Sequence, residues 1–240
     1  MKYFQALLWS GLAGLLLLSS CKIILPVNPN KQVNITQKID LNSFTGIRLY
    51  TAANIEITEG PTYSIIATGP ENIIRQLETA TVGDDSILTF RYKQFYSNTK
   101  VDIAITMPNI QQLESFGSGN IIGQNTFKNQ NLSIALFGTS TIDVAVDVAE
   151  VAVDLVGAGN VHLAGKTSKL NGTVKGVGHI LAFDLNAENA SLWSFGTGNM
   201  KAWAAIDMDC GIYGTGSIYY RGHPTISSQI KGLGALVNAN

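Results

Sequence analysis

Residues able to carry acid–base, nucleophilic or metal chemistry are few in this chain. It has three histidines, His162, His179 and His223, and two cysteines, Cys21 and Cys210. No Cys or His cluster has the ligand spacing of a zinc site, and neither an acidic loop nor a calcium-binding nonapeptide repeat is present. No metal and no cofactor is expected. Asp143 and His162 stand 19 residues apart at equivalent places of a repeat, and an Asp beside a His is half of a hydrolytic triad. Their column neighbours Ile122 and Leu181 supply no nucleophile, so the pair reads as a surface ion pair worth ~0 to 1 kcal/mol. The Gly-x-Gly stretches lack the helix and lysine of a phosphate loop. No catalytic residue is assigned.

The aromatic residues carry more information. Phe116, Phe137, Phe195 and Tyr213 each precede a glycine corner, while Trp193, Trp203, Tyr219, Tyr220 and Arg221 gather near the C-terminal end. Strand parity aims Trp193, Phe195, Tyr213 and Tyr219 outward, as a ledge suited to a glycan ring or a partner protein. Phe116 and Phe137 are expected as an internal stack, with parity broken at the corner.

What must position these side chains is a repeat. SFGSGNI (115–121) returns as SFGTGNM (194–200) and, degraded, at Gly157 and Gly159, Gly176 and Gly178, Gly214 and Gly216, and Gly232 and Gly234, besides Gly117, Gly119, Gly196 and Gly198 in the two quoted copies. Gly138 opens one further corner, whose second place is Ser140. Intervals between first glycines are 21, 19, 19, 20, 18 and 18 residues. Flanking columns alternate as strands do. Leu113, Ile134, Val153, Gly172, Leu192, Cys210 and Ser228 occupy one inward column, and Ile121, Ile142, Val161, Ile180, Met200, Ile218 and Leu236 another. Each repeat therefore reads as strand, Gly-x-Gly corner, strand and variable return.

The expected fold is all-β: a single-stranded right-handed parallel β-solenoid (β-helix) with about 18 to 21 residues per coil. Glycine suits the corner by accepting positive φ and by letting coils approach closely. Asn120, Asn160 and Asn199 follow it as residues that tolerate left-handed backbone. Residues 47–57 read as an earlier coil with Ala at its corner, and 44–110 as an irregular N-terminal cap holding short strands and a helix near 70–77. The last coil is read as a cap at the other end.

Composition and termini set the compartment. Charged residues are 14%, glycines number 24, and Lys plus Arg (16) nearly balance Asp plus Glu (17), which removes the basic footprint of a nucleic-acid binder. After Lys2 an apolar run from Ala6 to Leu18 is too short to span a bilayer but suits an export signal, and Leu18-Ser19-Ser20-Cys21 resembles a lipobox. The expected organisation is a lipoprotein signal peptide (1–20), lipidated Cys21 with a tether (21–43), and a β-solenoid domain (44–240). Membrane attachment would run through the lipid on Cys21, which leaves Cys210 as a buried thiol without a disulfide partner.

The run Met107-Pro108-Asn109-Ile110-Gln111-Gln112-Leu113-Glu114-Ser115-Phe116-Gly117-Ser118-Gly119-Asn120-Ile121, behind an export signal and irregular strands, resembles the family named putative auto-transporter adhesin, head GIN domain, common in Bacteroidota. The resemblance covers residues 44–240 and implies a secreted or surface β-solenoid without established catalytic residues. Lys22 after the cysteine favours the outer membrane by family habit. Three functions are in play: a non-enzymatic scaffold binding a glycan or cell-surface protein, a carbohydrate-active β-helix enzyme, and a mechanical envelope spacer. The enzyme would need several acids or bases converging in one groove, and the columns show none.

Overall fold

The computed structural model describes residues 33–82, 86–93 and 101–240. The expected signal peptide, Cys21 and residues 22–32 lie outside them. Within the expected tether the chain forms strand β1 (Asn34–Ile39), so the folded part reaches back before residue 44. It continues through β2 (Gly46–Leu49), β3 (Asn54–Glu59), β4 (Ser64–Pro70), a single helical turn α1 (Glu71–Ile74), β5 (Leu77–Val82), β6 (Ile87–Tyr92) and β7 (Asp102–Met107). The repeats follow as β8 (Gln112–Ser115), β9 (Ile121–Phe127), β10 (Asn131–Leu136), β11 (Thr141–Leu155), β12 (Asn160–Val174), β13 (His179–Ser194), β14 (Met200–Ile212), β15 (Ile218–Arg221), β16 (Thr225–Ile230) and β17 (Leu236–Asn238). Four of these strands, β11 to β14, span 13 to 16 residues, so the return expected to be variable is itself strand.

All strands belong to one continuous sheet wound into stacked parallel coils, a β-solenoid. The inward columns are in register from coil to coil. On the arm before the corner, Leu88, Ile47, Leu113, Ile134, Val153, Gly172, Leu192, Cys210 and Ser228 pair in succession. On the arm after it, Ile103, Ile55, Ile121, Ile142, Val161, Ile180, Met200, Ile218 and Leu236 do the same. Down to the last coil these residues are buried, each aliphatic one contributing ~1.5–3 kcal/mol. Gly172 leaves a gap in its column that the Met200 and Leu192 side chains fill, since a Cβ there would meet their tips at 2.8 and 3.0 Å.

Stacking order departs from chain order at the N-terminal end. The coil β2–β3 lies between β6–β7 on one side and β8–β9 on the other. After β3 the chain drops through β4, α1 and β5, then lays β6–β7 beneath the coil it made first. Antiparallel β1 and β4 close the sheet beside β7, and antiparallel β5 closes it beside β6. That end is a cap, as expected. At the other end β16 is exposed at every residue, with Ile226 at 37% and Ile230 at 50%.

The corner explains why glycine recurs. None of the corner glycines has a positive φ, which among the described glycines occurs at Gly165 and Gly222 alone. The expectation of left-handed backbone at the corner is therefore corrected, and close approach alone carries the requirement. A Cβ on Gly117 would collide with the carbonyl oxygen of Thr51, one on Gly138 with that of Gly117, and the file continues through Gly157, Gly176, Gly196, Gly214 and Gly232. A second file runs from Gly119 over Ala53 to Gly234 over Gly216. Between the files, N–H groups of Thr139, Ala158, Thr197 and Thr215 donate to the first-glycine carbonyl of the coil below at 3.0–3.1 Å. Ser140 fits the second file by turning inward, where its hydroxyl lies 2.5 Å from the Ser115 hydroxyl and donates to the Gly117 carbonyl at 3.1 Å.

The residue after the corner has a different task from the one its type suggested. Asn120, Asn160 and Asn199 are not left-handed. Their side-chain oxygens accept the backbone N–H of the equivalent residue one coil on: Asn120 from Thr141, Asn160 from His179, Asn199 from Ser217. His179 joins this ladder by accepting the Asn199 N–H on Nδ1 at 2.8 Å, and Ser217 by accepting that of Ala235.

Two stability outcomes follow from these contacts. Gly178→Ala should lower the urea-unfolding free energy by ~2–3 kcal/mol, since backbone cannot rotate away from the new methyl group, while exposed Thr197→Ala on the next corner should change it by less than ~0.5 kcal/mol. His179→Asn should be tolerated, because it installs the column's commonest acceptor, whereas His179→Ala should lose about 1 kcal/mol in the same measurement.

Candidate functional site

The residues first considered for chemistry are placed apart from any reaction centre. Asp143 and His162 are register partners on β11 and β12, but no ion pair or hydrogen bond joins them, which corrects that expectation. Among the described residues the carboxylates that do pair across coils are Glu114 with Arg48, Asp147 with Lys166, Glu150 with Lys169 and Asp154 with Lys175. A shallow groove on the arm before the corner, lined by Gln112, Asn131, Ser133 and Glu150, holds one carboxylate, and Asn171 donates to it at 2.5 Å. Among the described residues no group of three or more His, Cys, Asp or Glu is placed to hold a metal ion. Cys210 is free and buried in the inward column of β14, and burial together with the neighbouring Asp209 charge pushes its thiol up to about 11.

The aromatic residues form two stacks along the corner edge. In the first, Tyr50, Phe116 and Phe137 stack at 4.7 and 4.6 Å, nearly parallel, with the Arg91 guanidinium 4.3 Å over Tyr50. Phe116 and Phe137 are 38% and 42% exposed, so the internal stack expected for them is corrected. Alternation holds up to the corner, where Ser115 and Leu136 take the inward place and push the phenylalanines out.

The second stack holds three of the four residues expected in the ledge. Phe195 and Tyr213 stack at 5.0 Å, Trp193 lies 6.4 Å from Tyr213, and the Lys231 ammonium is 5.8 Å from the Tyr213 ring. Trp193 is half-buried: its six-membered ring occupies the space a Cβ on Gly211 would need, and its N–H donates to Ser191 Oγ at 3.1 Å. The Tyr213 hydroxyl donates to Gln229 Oε1. Tyr219 lies elsewhere, on β15 after the corner, between register partners Lys201 and Val237. Ser191, Gly211, Gln229 and Lys231 were not anticipated around the ledge. A glycine facing outward beside a tryptophan was the legible signal, because an outward glycine on a strand leaves room for a ring.

The comparison with known families bears on this surface. Residues 43–224 match the family described as putative auto-transporter adhesin, head GIN domain. The chain belongs to this family. A crystal structure described as a putative adhesin from Bacteroides fragilis is 29% identical, with a TM-score of 0.82 over 86% of this chain and 97% of that one. Two from Parabacteroides distasonis share the fold. One, described as a putative lipid binding protein, is 20% identical with a TM-score of 0.66, over 85% of this chain and 97% of that one. The other, described as a putative adhesin, is 18% identical with a TM-score of 0.65, over 86% and 97%. No curated protein matches the chain. Of these three structures two are described as putative adhesins and one as a putative lipid binding protein.

In this head GIN domain the thiol of Cys210 reports on the integrity of the inward column. Only the thiolate is alkylated, so at pH 8 iodoacetamide should modify native Cys210 at least ~100-fold more slowly than the same cysteine in urea. The raised thiol means that the folded state keeps a proton the unfolded state releases first. Stability should therefore be undiminished by this group below the unfolded pKa and fall as pH rises toward about 11, read as a decreasing urea midpoint.

Proposed function

We propose that the protein is a lipid-anchored, extracytoplasmic adhesion scaffold, non-enzymatic, that holds a glycan against the ledge of Trp193, Phe195 and Tyr213. The observation that carries the reading is the way the Trp193 ring is fixed before any ligand arrives, seated over Gly211, bonded to Ser191 and flanked by Tyr213. An aromatic ring held this firmly loses little side-chain freedom on binding, and half-exposed aromatic patches are where sugars and partner proteins are gripped. Gln229 and Lys231 at its rim provide hydrogen-bonding groups for hydroxyls. Family membership supports the adhesion role. The lipobox ending at Cys21 supports attachment to the cell envelope, with the outer membrane favoured by Lys22. Glycoside cleavage ordinarily needs two flanking carboxylates, and the groove lined by Gln112 and Glu150 offers one that is already engaged.

The test is a glycan and cell-surface array probed with the full-length protein and with Trp193→Ala. Retention of a saccharide by the wild type, reduced at least ~10-fold in the variant with an unchanged melting temperature, is expected. Absence of any retained glycan, or of any glycan whose retention falls in Trp193→Ala, would overturn the reading. Release of new reducing ends from the bound polysaccharide would establish an enzyme instead.

A further inference from the structure

On the arm after the corner a second constellation stands apart from the ledge. Lys201 and Trp203 point outward from β14, and their register partners on β15 are Tyr219 and Arg221. Two cations and two aromatic residues thus alternate over two coils as a four-cornered patch. A fifth residue sits beneath it. Phe183 belongs to a bulge in β13, where Ala182 and Asn186 pair with the adjacent Ala202 and Trp203 and the residues between them are squeezed out of the ladder.

Both cations converge on that bulge. The Arg221 guanidinium lies 4.3 Å over the Phe183 ring, and the Lys201 ammonium is 5.8 Å from the same ring. Arg221 is also held from its other side, because its Nε donates to the Ala239 carbonyl at 3.2 Å. Stacking fixes the plane of the fork, and the Nε bond fixes its rotation. Among the described residues its two terminal nitrogens have no hydrogen-bond partner. Elsewhere on the solenoid some outward lysines meet carboxylates of the neighbouring coil, as in Asp147 with Lys166 and Asp154 with Lys175. Among the described residues no carboxylate pairs with Lys201 or Arg221. Two exposed cations set within one ring's reach repel each other, and an anion held between them would relieve that repulsion.

The geometry points to a binding site for an acidic saccharide, with the sugar carboxylate taken by the Arg221 fork and Lys201, and the pyranose body lying against Trp203 and Tyr219. A planar guanidinium with two free terminal nitrogens matches a carboxylate bidentately, which a lysine in its place would not. The flanking half-buried aromatic residues supply apolar surface for the sugar ring and give a free inorganic anion no added hold. The site is on the opposite arm of the coil from Trp193, so it stands or falls separately from the ledge.

Polygalacturonate and its fully methyl-esterified form share one backbone and differ in the carboxylate. Titrated calorimetrically into the full-length protein at low salt, polygalacturonate should bind and the ester should not. The double variant Lys201→Gln/Arg221→Gln should weaken binding at least ~10-fold, Arg221→Lys should weaken it while retaining the charge, and Thr197→Ala, on an exposed corner, should leave it within ~2-fold. Melting temperatures should be unchanged, since both cations are exposed. Failure of polygalacturonate to bind, equal binding of the ester, or a double variant that binds as the wild type does would overturn the assignment. So would Arg221-dependent binding to phosphatidylglycerol vesicles without binding to polygalacturonate, which would make the anion a lipid headgroup.

Discussion

Backbone lying on backbone at the corner is the contact on which this structure depends. Each first glycine places its Cα where a side chain would strike the carbonyl oxygen of the coil below, and the contact repeats from Thr51 to Gly232. Two consequences follow from the same closeness. Coils can stack at the spacing of a parallel sheet through a sharp bend, keeping inter-coil hydrogen bonds intact where a loop would otherwise break them. And any slip of one coil past the next would drive a methyl or larger group into a carbonyl. Register is thereby fixed by exclusion at the corner, and hydrophobic burial follows it.

Once register is fixed, every position along a coil meets its own counterpart above and below, and side chains are selected column by column. Inside, the columns are aliphatic, and a deficit in one is made up by a neighbour, as Met200 does for Gly172. After the corner, the column of Asn120, Asn160, His179, Asn199 and Ser217 ties successive coils through acceptors that reach the next backbone N–H. Three residue types serve there because each presents a lone pair at the same place. Outside, opposite charges and parallel rings are brought into contact by the same repetition.

That column logic explains what could be read from the sequence. Glycine spacing and the alternation around it are local in the chain, and they disclosed the solenoid, its inward columns and the coil at 47–57. The threading of β2–β3 between β6–β7 and β8–β9 was not legible, because it depends on which coil the chain returns beneath, and residues 58–110 carry no repeated corner to align. Phe116 and Phe137 were misplaced for a different reason. An apolar residue next to a bend suggests burial, yet Ser115 holds the inward place with 0% exposure, its hydroxyl satisfied by Ser140. Hydrogen bonding between distant serines overrode hydropathy, and spacing alone cannot show it. Of the aromatic ledge, parity gave Trp193, Phe195 and Tyr213 correctly as neighbours, but it could not separate Tyr219, since outward on one arm and outward on the other are different surfaces.

Repetition also bears on where function can sit. In an in-register stack such as Tyr50, Phe116 and Phe137, each ring covers the face of the next, and Arg91 covers the end, so little aromatic face remains for a ligand. Such a stack adds cohesion between coils. The two candidate surfaces share the opposite property, a break in likeness between adjacent coils. Trp193 stands over a glycine, the one neighbour that lets its ring lie across the next coil. Arg221 lies over Phe183 because β13 has extruded residues that β14 lacks, and Lys201 approaches the same ring without an acidic counterpart. A periodic column satisfies its own side chains and leaves nothing to recognise. Recognition in a solenoid of this kind therefore belongs to the places where the columns fail to repeat.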